Sequence, residues 1–253
     1  MLIKGDLSAL EWRVSVFLSQ DKVGIQEIEN GLDQHTHNQQ TFGLPSRLIA
    51  KVFVFRLIFG GSAYSYANDA DFKEVGFNEK QWQEVIDKFY AKYQDLAKWH
   101  VSLMQQVNAT GKIVIPTGRE FKFKTYPNFR GEPEWPRTQI LNYPVQGCAA
   151  DIMSLVRVAA YNRIKKDFDP DKVKFIATVH DDVELDVAND SELVYNICIC
   201  LENVFKDIPT LYEKFFKQPY NVPMTGEVSY GQTLADMVKF DRSKYADSSY
   251  FSI

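Results

Sequence analysis

The spacing of apolar residues changes several times along the chain, and each change marks an element. Met1 to Asp6 reads as a short strand. Leu10, Val14, Phe17 and Leu18 then fall at helical intervals within Ser8 to Leu18, so a strand passes into a helix through Asp6. Ser8-Ala9-Leu10-Glu11 at the head of that helix has the form of a capping box, in which the Ser8 and Glu11 side chains satisfy the first helical amides. Gln26 to Phe42 is polar and closes at Gly43-Leu44-Pro45; a helix is predicted over 46–59 and is terminated by Gly60-Gly61. Another amphipathic helix begins at Asn78, carrying Trp82, Val85, Ile86, Phe89 and Tyr93.

From Lys112 the period shifts to two. Ile113 and Ile115, a turn at Thr117-Gly118, then Phe121 and Phe123 predict a β-hairpin, and the proline-rich run 126–136 predicts a loop. A helix is predicted over 146–166, apolar at Ile152, Leu155, Val156 and Ala159. The clearest hairpin covers 173–187, where Val183, Leu185 and Val187 alternate with Glu184 and Asp186 behind a tip at Asp181-Asp182. A helix over 192–205 and a strand near 225–229 complete the chain. Strands at both ends with helices between them predict an α+β sheet domain interrupted by a helical one.

Composition sharpens this picture. The 253 residues, 45% of them hydrophobic, suffice for one large core or two small ones. No uncharged apolar run of membrane-spanning length and no export signal is visible, so a soluble, intracellular protein is expected. Cys148, Cys198 and Cys200 lack paired spacing and fit buried thiols better than a disulfide framework or a zinc site. The net charge of −4 argues against a protein that tracks a phosphate backbone. Against that, metal-holding carboxylates add to the acidic total, and Lys112, Arg119, Lys122 and Lys124 form a local basic cluster. Taken alone, the cluster is a solvated ribbon face.

Candidate chemistry begins with carboxylates. Asp6 ends the first strand and Asp181 lies at a hairpin tip; if those strands are neighbours, the two face each other and offer the oxygen ligands a hard divalent cation needs. Singly, each aspartate is ordinary turn chemistry. On the helix over 46–59, Arg47, Lys51, Phe55 and Phe59 recur every four residues and form one stripe. An arginine fork and a lysine charge suit a triphosphate, and a phenyl ring suits a base. The plain alternative is an amphipathic helix with its Phe face in the core, although cations and core aromatics belong on opposite faces. His180, beside Asp181, is given no proton-transfer role, and no serine or cysteine sits in a nucleophile elbow.

Four motifs in order resemble the polymerase domain of family A DNA polymerases: Asp6-Leu7-Ser8-Ala9-Leu10-Glu11-Trp12-Arg13; Arg47, Lys51, Phe55 and Phe59-Gly60; Asn142-Tyr143-Pro144-Val145-Gln146-Gly147 with Ala149-Ala150-Asp151; and Val179-His180-Asp181-Asp182. The resemblance implies an antiparallel-sheet palm (1–27 and 131–253) interrupted by largely helical fingers (28–130). It implies two Mg²⁺ ions held by Asp6, Asp181, Asp182 and the Leu7 carbonyl, with Asp6, Asp181 and Lys51 as the catalytic set. It assigns the incoming dNTP to His35, Arg47, Lys51, Phe55, Phe59 and Glu11, the last as the bulk that rejects a ribose 2′-hydroxyl. Tyr64, Arg119, Asn142, Gln146 and His180 are assigned to primer-template DNA.

The chain departs from the family pattern at Asp182, where Glu is usual, at Phe59, where Tyr is usual, and at Arg56, where Gly is usual; Arg119 alone represents what is often an arginine cluster. Asp6 also lies close to the start, whereas family members carry a long preceding region with a thumb and frequently an exonuclease. The expectation is therefore that thumb and exonuclease are absent and that either a second polypeptide supplies the thumb or the chain is a truncated product, a split polymerase of viral or phage type being preferred. Competing readings are an inactive module that binds DNA or a subunit, a single-subunit RNA polymerase, and a metal-dependent phosphohydrolase. Retention of Asp6, Asp181 and Lys51 opposes the first, the bulk of Glu11 opposes the second, and the basic-aromatic stripe opposes the third.

Overall fold

Periodicity of two and of 3.6 alternates along the computed structural model, which describes residues 1–244; the last nine residues of the expected second palm segment, 245–253, lie outside the described residues. In chain order the elements are β1 (Leu2–Leu7), α1 (Leu10–Ser19), α2 (Lys22–Glu29), α3 (Gln34–Phe42), α4 (Arg47–Ile58), α5 (Ala63–Asn68), a 3-10 turn (Ala70–Val75), α6 (Glu79–Lys92), α7 (Gln94–Thr110), β2 (Lys112–Val114) and β3 (Glu120–Lys122). There follow β4 (Tyr126–Pro127), β5 (Pro133–Glu134), α8 (Arg137–Asp167), β6 (Val173–Val179), β7 (Asp182–Val187), α9 (Ser191–Lys206), α10 (Ile208–Phe216), β8 (Gly226–Gly231) and β9 (Val238–Lys239), with a closing 3-10 turn at Arg242–Lys244. The chain forms two compact units, residues 1–10 with those from Ala149 onward, and residues 11–148. The changeovers fall within α1 and α8.

In the first unit, five strands form an antiparallel sheet in the order β6-β7-β1-β8-β9. The register sets Asp6 opposite Asp182 and Lys4 opposite Glu184, so all four lie on one face. Gly5 and Leu7 point to the other face, toward α9. There Phe205 fills the space that side chains would take: a Cβ on Gly5 would lie 2.9 Å from its ring and one on Gly226 would lie 2.3 Å away. Burial of Leu201, Phe205, Ile197 and Val204 closes this side of the sheet.

The second unit is mainly helical, around an aromatic core. Phe53 stacks on Trp82 at 5.7 Å, and Trp12 meets Tyr93 edge-on at 5.0 Å. Asp21, almost fully buried, caps two helices with one carboxylate: it accepts from the Gly24 amide of α2 and from the Asp95 and Leu96 amides that open α7. A buried polar knot ties α2, α3 and α6, in which the Tyr93 hydroxyl donates to Glu27 at 2.7 Å and lies 2.9 Å from the Asn38 side-chain oxygen while Lys92 pairs with Glu27 at 2.8 Å.

The capping box expected at Ser8 does not form. Helix α1 begins at Leu10, and Ala9 adopts a left-handed φ of 51°, whereas a box with Ser8 as its cap requires Ala9 to be the first helical residue. Glu11 is thereby left without that structural explanation. The helix expected over 146–166 starts instead at Arg137 and continues through Pro144. Proline lacks the donor for the Ile140 carbonyl, but buried Ile140, Leu141, Val145 and Cys148 hold the helix through that gap. Within the polar stretch 26–42, α3 is a full helix, capped by Asp33 and ended by Gly43 at a left-handed φ of 68°. The 126–136 loop contains the short β4–β5 ribbon.

Candidate active site

Asp6 stands on the penultimate residue of β1, and Asp181 follows His180 in the two-residue turn between β6 and β7. That turn needs a left-handed residue, and His180 supplies it at a φ of 52°. The Leu7 amide donates to the Asp181 carbonyl at 3.2 Å, tying the turn to the end of β1, and the Ser8 amide donates to Thr225 at 3.0 Å. Backbone bonds thus fix the positions from which the carboxylates project. Asp6, Asp181 and Asp182 bring one carboxylate oxygen each within 4.8 Å of one another, the one such cluster among the described residues.

The cluster is electrostatically uncomfortable. Burial first, then the negative charge of Asp181 and Asp182, pushes the Asp6 carboxyl up to about 7. Asp182 is buried, and its Oδ1 has no hydrogen-bond partner. Its Oδ2 pairs with Lys4 at 2.6 Å, which raises the lysine above its ordinary range. Crowded oxygen donors, one of them buried and unsatisfied, are the donor set that a hard divalent cation fits. Lys4 escaped the sequence reading; its two-residue spacing from Asp6 on a strand was the available signal.

The stripe on α4 is outside the core. Ala50, Phe53, Val54, Leu57 and Ile58 are buried, whereas Arg47 and Lys51 are exposed and Phe55 and Phe59 are half-buried. The plain amphipathic reading, with these phenylalanines as the core face, is therefore not what forms. Lys51 Nζ lies 5.9 Å from the Phe55 ring, Phe59 meets Phe55 edge-on at 6.4 Å, and the His35 ring lies 6.4 Å from Phe55 at a shallow 33°. Burial, and then the charge of Arg47, holds the His35 imidazole down at about 4, so it is neutral at neutral pH. Arg47 itself is bonded through Nε and Nη2 to the Asp33 carboxylate, at 2.7 and 3.2 Å. Asp33 was another residue that the sequence reading passed over.

Arg56 also finds its reason. It pairs with Asp69 and with Asp71, the latter at 2.6 Å, and its guanidinium lies 5.2 Å from the Phe72 ring, so it staples α4 to the following 3-10 turn. Glu11 is half-buried on α1, and Tyr64 is 65% exposed on α5. Asn142 and Gln146 lie one turn apart on α8. Phe121 and Arg119 close over Gly147 beside them, where a Cβ would lie 2.4 Å from the Phe121 ring and 3.0 Å from Arg119 Cδ. In the basic ribbon, Lys112 and Lys122 share Glu120 at 2.8 and 3.4 Å. Cys148 and Cys198 are buried, Cys200 is half-buried, and none of the three is in a disulfide. No helix among the described residues is long and apolar enough to cross a membrane.

The sequence model described as DNA polymerase family A matches residues 1–236. DNA polymerase I of Pseudomonas aeruginosa is 29% identical over 83% of the chain and 23% of its own length. The thermostable DNA polymerase I of Thermus filiformis is 25% identical over 92% of the chain and 26% of its own length. The chain thus spans about a quarter of the length of these curated relatives. Among solved structures, the POL domain of Pol1 from M. smegmatis in complex with DNA primer-template and dNTP shares the fold, with a TM-score of 0.73 and 21% identity over 92% of this chain and 39% of that one.

Proposed function

The chain belongs to DNA polymerase family A, and from that premise we propose that it carries the centre of a template-directed DNA polymerase, adding dNTPs to a primer 3′ end. The carrying observation is the cluster of Asp6, Asp181 and Asp182 at the ends of paired strands. Under this reading residues 1–27 and 131–253 are palm, and 28–130 are fingers. Asp6 and Asp181, with Asp182 and the Leu7 carbonyl, would hold two Mg²⁺ ions. When bound, such ions stabilise the attacking and leaving oxygens of phosphoryl transfer.

The chain's own residues do the rest. Lys51 and Arg47 offset charge on the triphosphate, and neutral His35 offers a hydrogen bond rather than a further cation. Phe55, with Phe59 edge-on to it, packs the sugar and base. Glu11 excludes a 2′-hydroxyl; because Phe59 has no phenol oxygen to bond it, that exclusion rests on bulk. Tyr64, Arg119, Asn142, Gln146 and His180 contact primer-template DNA. The relatives lend no support to a second polypeptide, so the test uses the purified chain by itself.

That test is primer extension with Mg²⁺ and dNTPs, alongside Asp6→Ala and Asp181→Ala. The expected result is extension by the parent chain and none by either variant. A folded parent that binds primer-template without extending it would replace this reading with the binding-module one, and preference for rNTPs would replace it with the RNA polymerase one.

A further inference from the structure

Helices α3 and α4 begin side by side because one carboxylate serves both. Asp33 caps α3: its Oδ1 accepts from the His35 amide at 3.1 Å and the Thr36 amide at 3.4 Å, and its Oδ2 accepts from the Thr36 hydroxyl at 3.1 Å. The same two oxygens receive the Arg47 fork, Nε on Oδ2 and Nη2 on Oδ1. Arg47 is the first residue of α4, directly after its cap Ser46. The pair is about half exposed on both sides, and exposed ion pairs add little to stability. What a two-point fork does give is direction, because it fixes the plane of a guanidinium that a single bond would leave to swivel.

We infer that Asp33 is a positioning residue for nucleotide binding: by clamping Arg47 against the first turn of α3, it aims the guanidinium toward the side where His35 and Lys51 lie. The inference deepens the function proposed above and rests on it. Two further observations support it. The Arg47 bonds hold the Asp33 carboxyl down at about 2, so the clamp stays charged throughout the range in which a polymerase works. His35, whose amide bonds to the clamp, is packed near Phe55, which in turn lies near Lys51. The clamp therefore joins the three polar groups assigned to the triphosphate through rigid helix starts.

Asp33→Asn separates aiming from capping, because asparagine caps a helix about as well as aspartate but forms a much weaker bond to a guanidinium. Binding of dNTP to the full chain on a dideoxy-terminated primer-template is measured by fluorescence titration, with steady-state extension in parallel. Asp33→Asn is expected to weaken dNTP binding and raise KM about tenfold, with kcat within about twofold, the pattern of lost substrate binding. Arg47→Lys keeps the charge and loses the fork, and is expected to weaken binding by a similar factor. In an Arg47→Ala background Asp33→Asn is expected to add nothing, which a purely structural role for Asp33 would not produce. Equal losses with and without Arg47, wild-type binding by Arg47→Lys, or tighter dNTP binding by Asp33→Asn would each overturn the inference. A parent chain that neither extends nor binds dNTP sinks the functional reading and this inference with it, and is recognised because the parent itself is silent.

Discussion

Both compact units bury polar groups, but in opposite ways. In residues 11–148, Asp21 accepts three amides, and Glu27, Asn38, Lys92 and Tyr93 bond one another. Charge there is matched, and it fastens helices. In the sheet unit, three carboxylates crowd together, one with an oxygen left unpartnered, and a single lysine pairs with one of them. Charge there is mismatched, and it holds nothing together. An unpartnered polar atom alone is no distinction, since Gln34, Asn38 and His100 in the helical unit have them too; what sets the sheet unit apart is the crowding of like charge, which works against folding. Mismatch of this kind marks a place where something else is to bind.

The sharpest way to break the contrast is Asp6→Asn. Extension should fall to background, while the melting temperature in chelator should rise, by about 2–4 °C for each kcal/mol of relieved repulsion in a chain of this size. A drop in both activity and melting temperature would make Asp6 a structural residue. Next in size is Lys51→Ala, which should lower kcat about 10²- to 10³-fold, the loss typical of removing one donor that stabilises developing charge. Its melting curve should not move, because Lys51 is exposed.

The matched unit should answer in stability instead. Asp21→Ala strands three amides, two of them on α7, and should cost about 3 to 5 kcal/mol in denaturant unfolding. A cost under about 1 kcal/mol would show that water replaces the carboxylate. Smaller again is a pH effect at His100, whose imidazole burial holds down at about 3. The unfolded histidine takes up a proton below about 6.5 and the folded one does not, so stability is lost as pH falls from about 6.5 toward 3. Between pH 6.5 and 5 that amounts to about 2 kcal/mol. His100→Leu should flatten this slope in urea titrations whatever it does to stability at pH 7.

Much of this was legible in the residues. The strand ending at Asp6, the hairpin tipped by Asp181 and the helix from Asn78 follow from apolar spacing, and the sheet brings the two aspartates together as their positions suggested. Helix α3 was not legible, because its buried face is Gln34, His35, Asn38 and Phe42, which carries no apolar stripe. Pro144 hid the first turns of α8, since proline normally stops a helix that tertiary packing here sustains. For Lys4 and Asp33 it was the partner that could not be read: strand spacing puts Lys4 on the face of Asp6 but does not say what it meets. Their partners, Asp182 and Arg47, are distant in sequence, and only register and helix packing decide who meets whom.

Gly5 and Gly226 carry no chemistry, yet they bear on the fate of any attempt to move this centre. Phe205 rests on the bare backbone they leave, on the reverse of the sheet face from which Asp6 projects. A protein engineer who copied three aspartates onto another sheet would copy the lettering without the page. The transplant has to include two missing methyl groups and the ring that occupies their place, because the closeness of α9 to the sheet is set from behind, by what is not there.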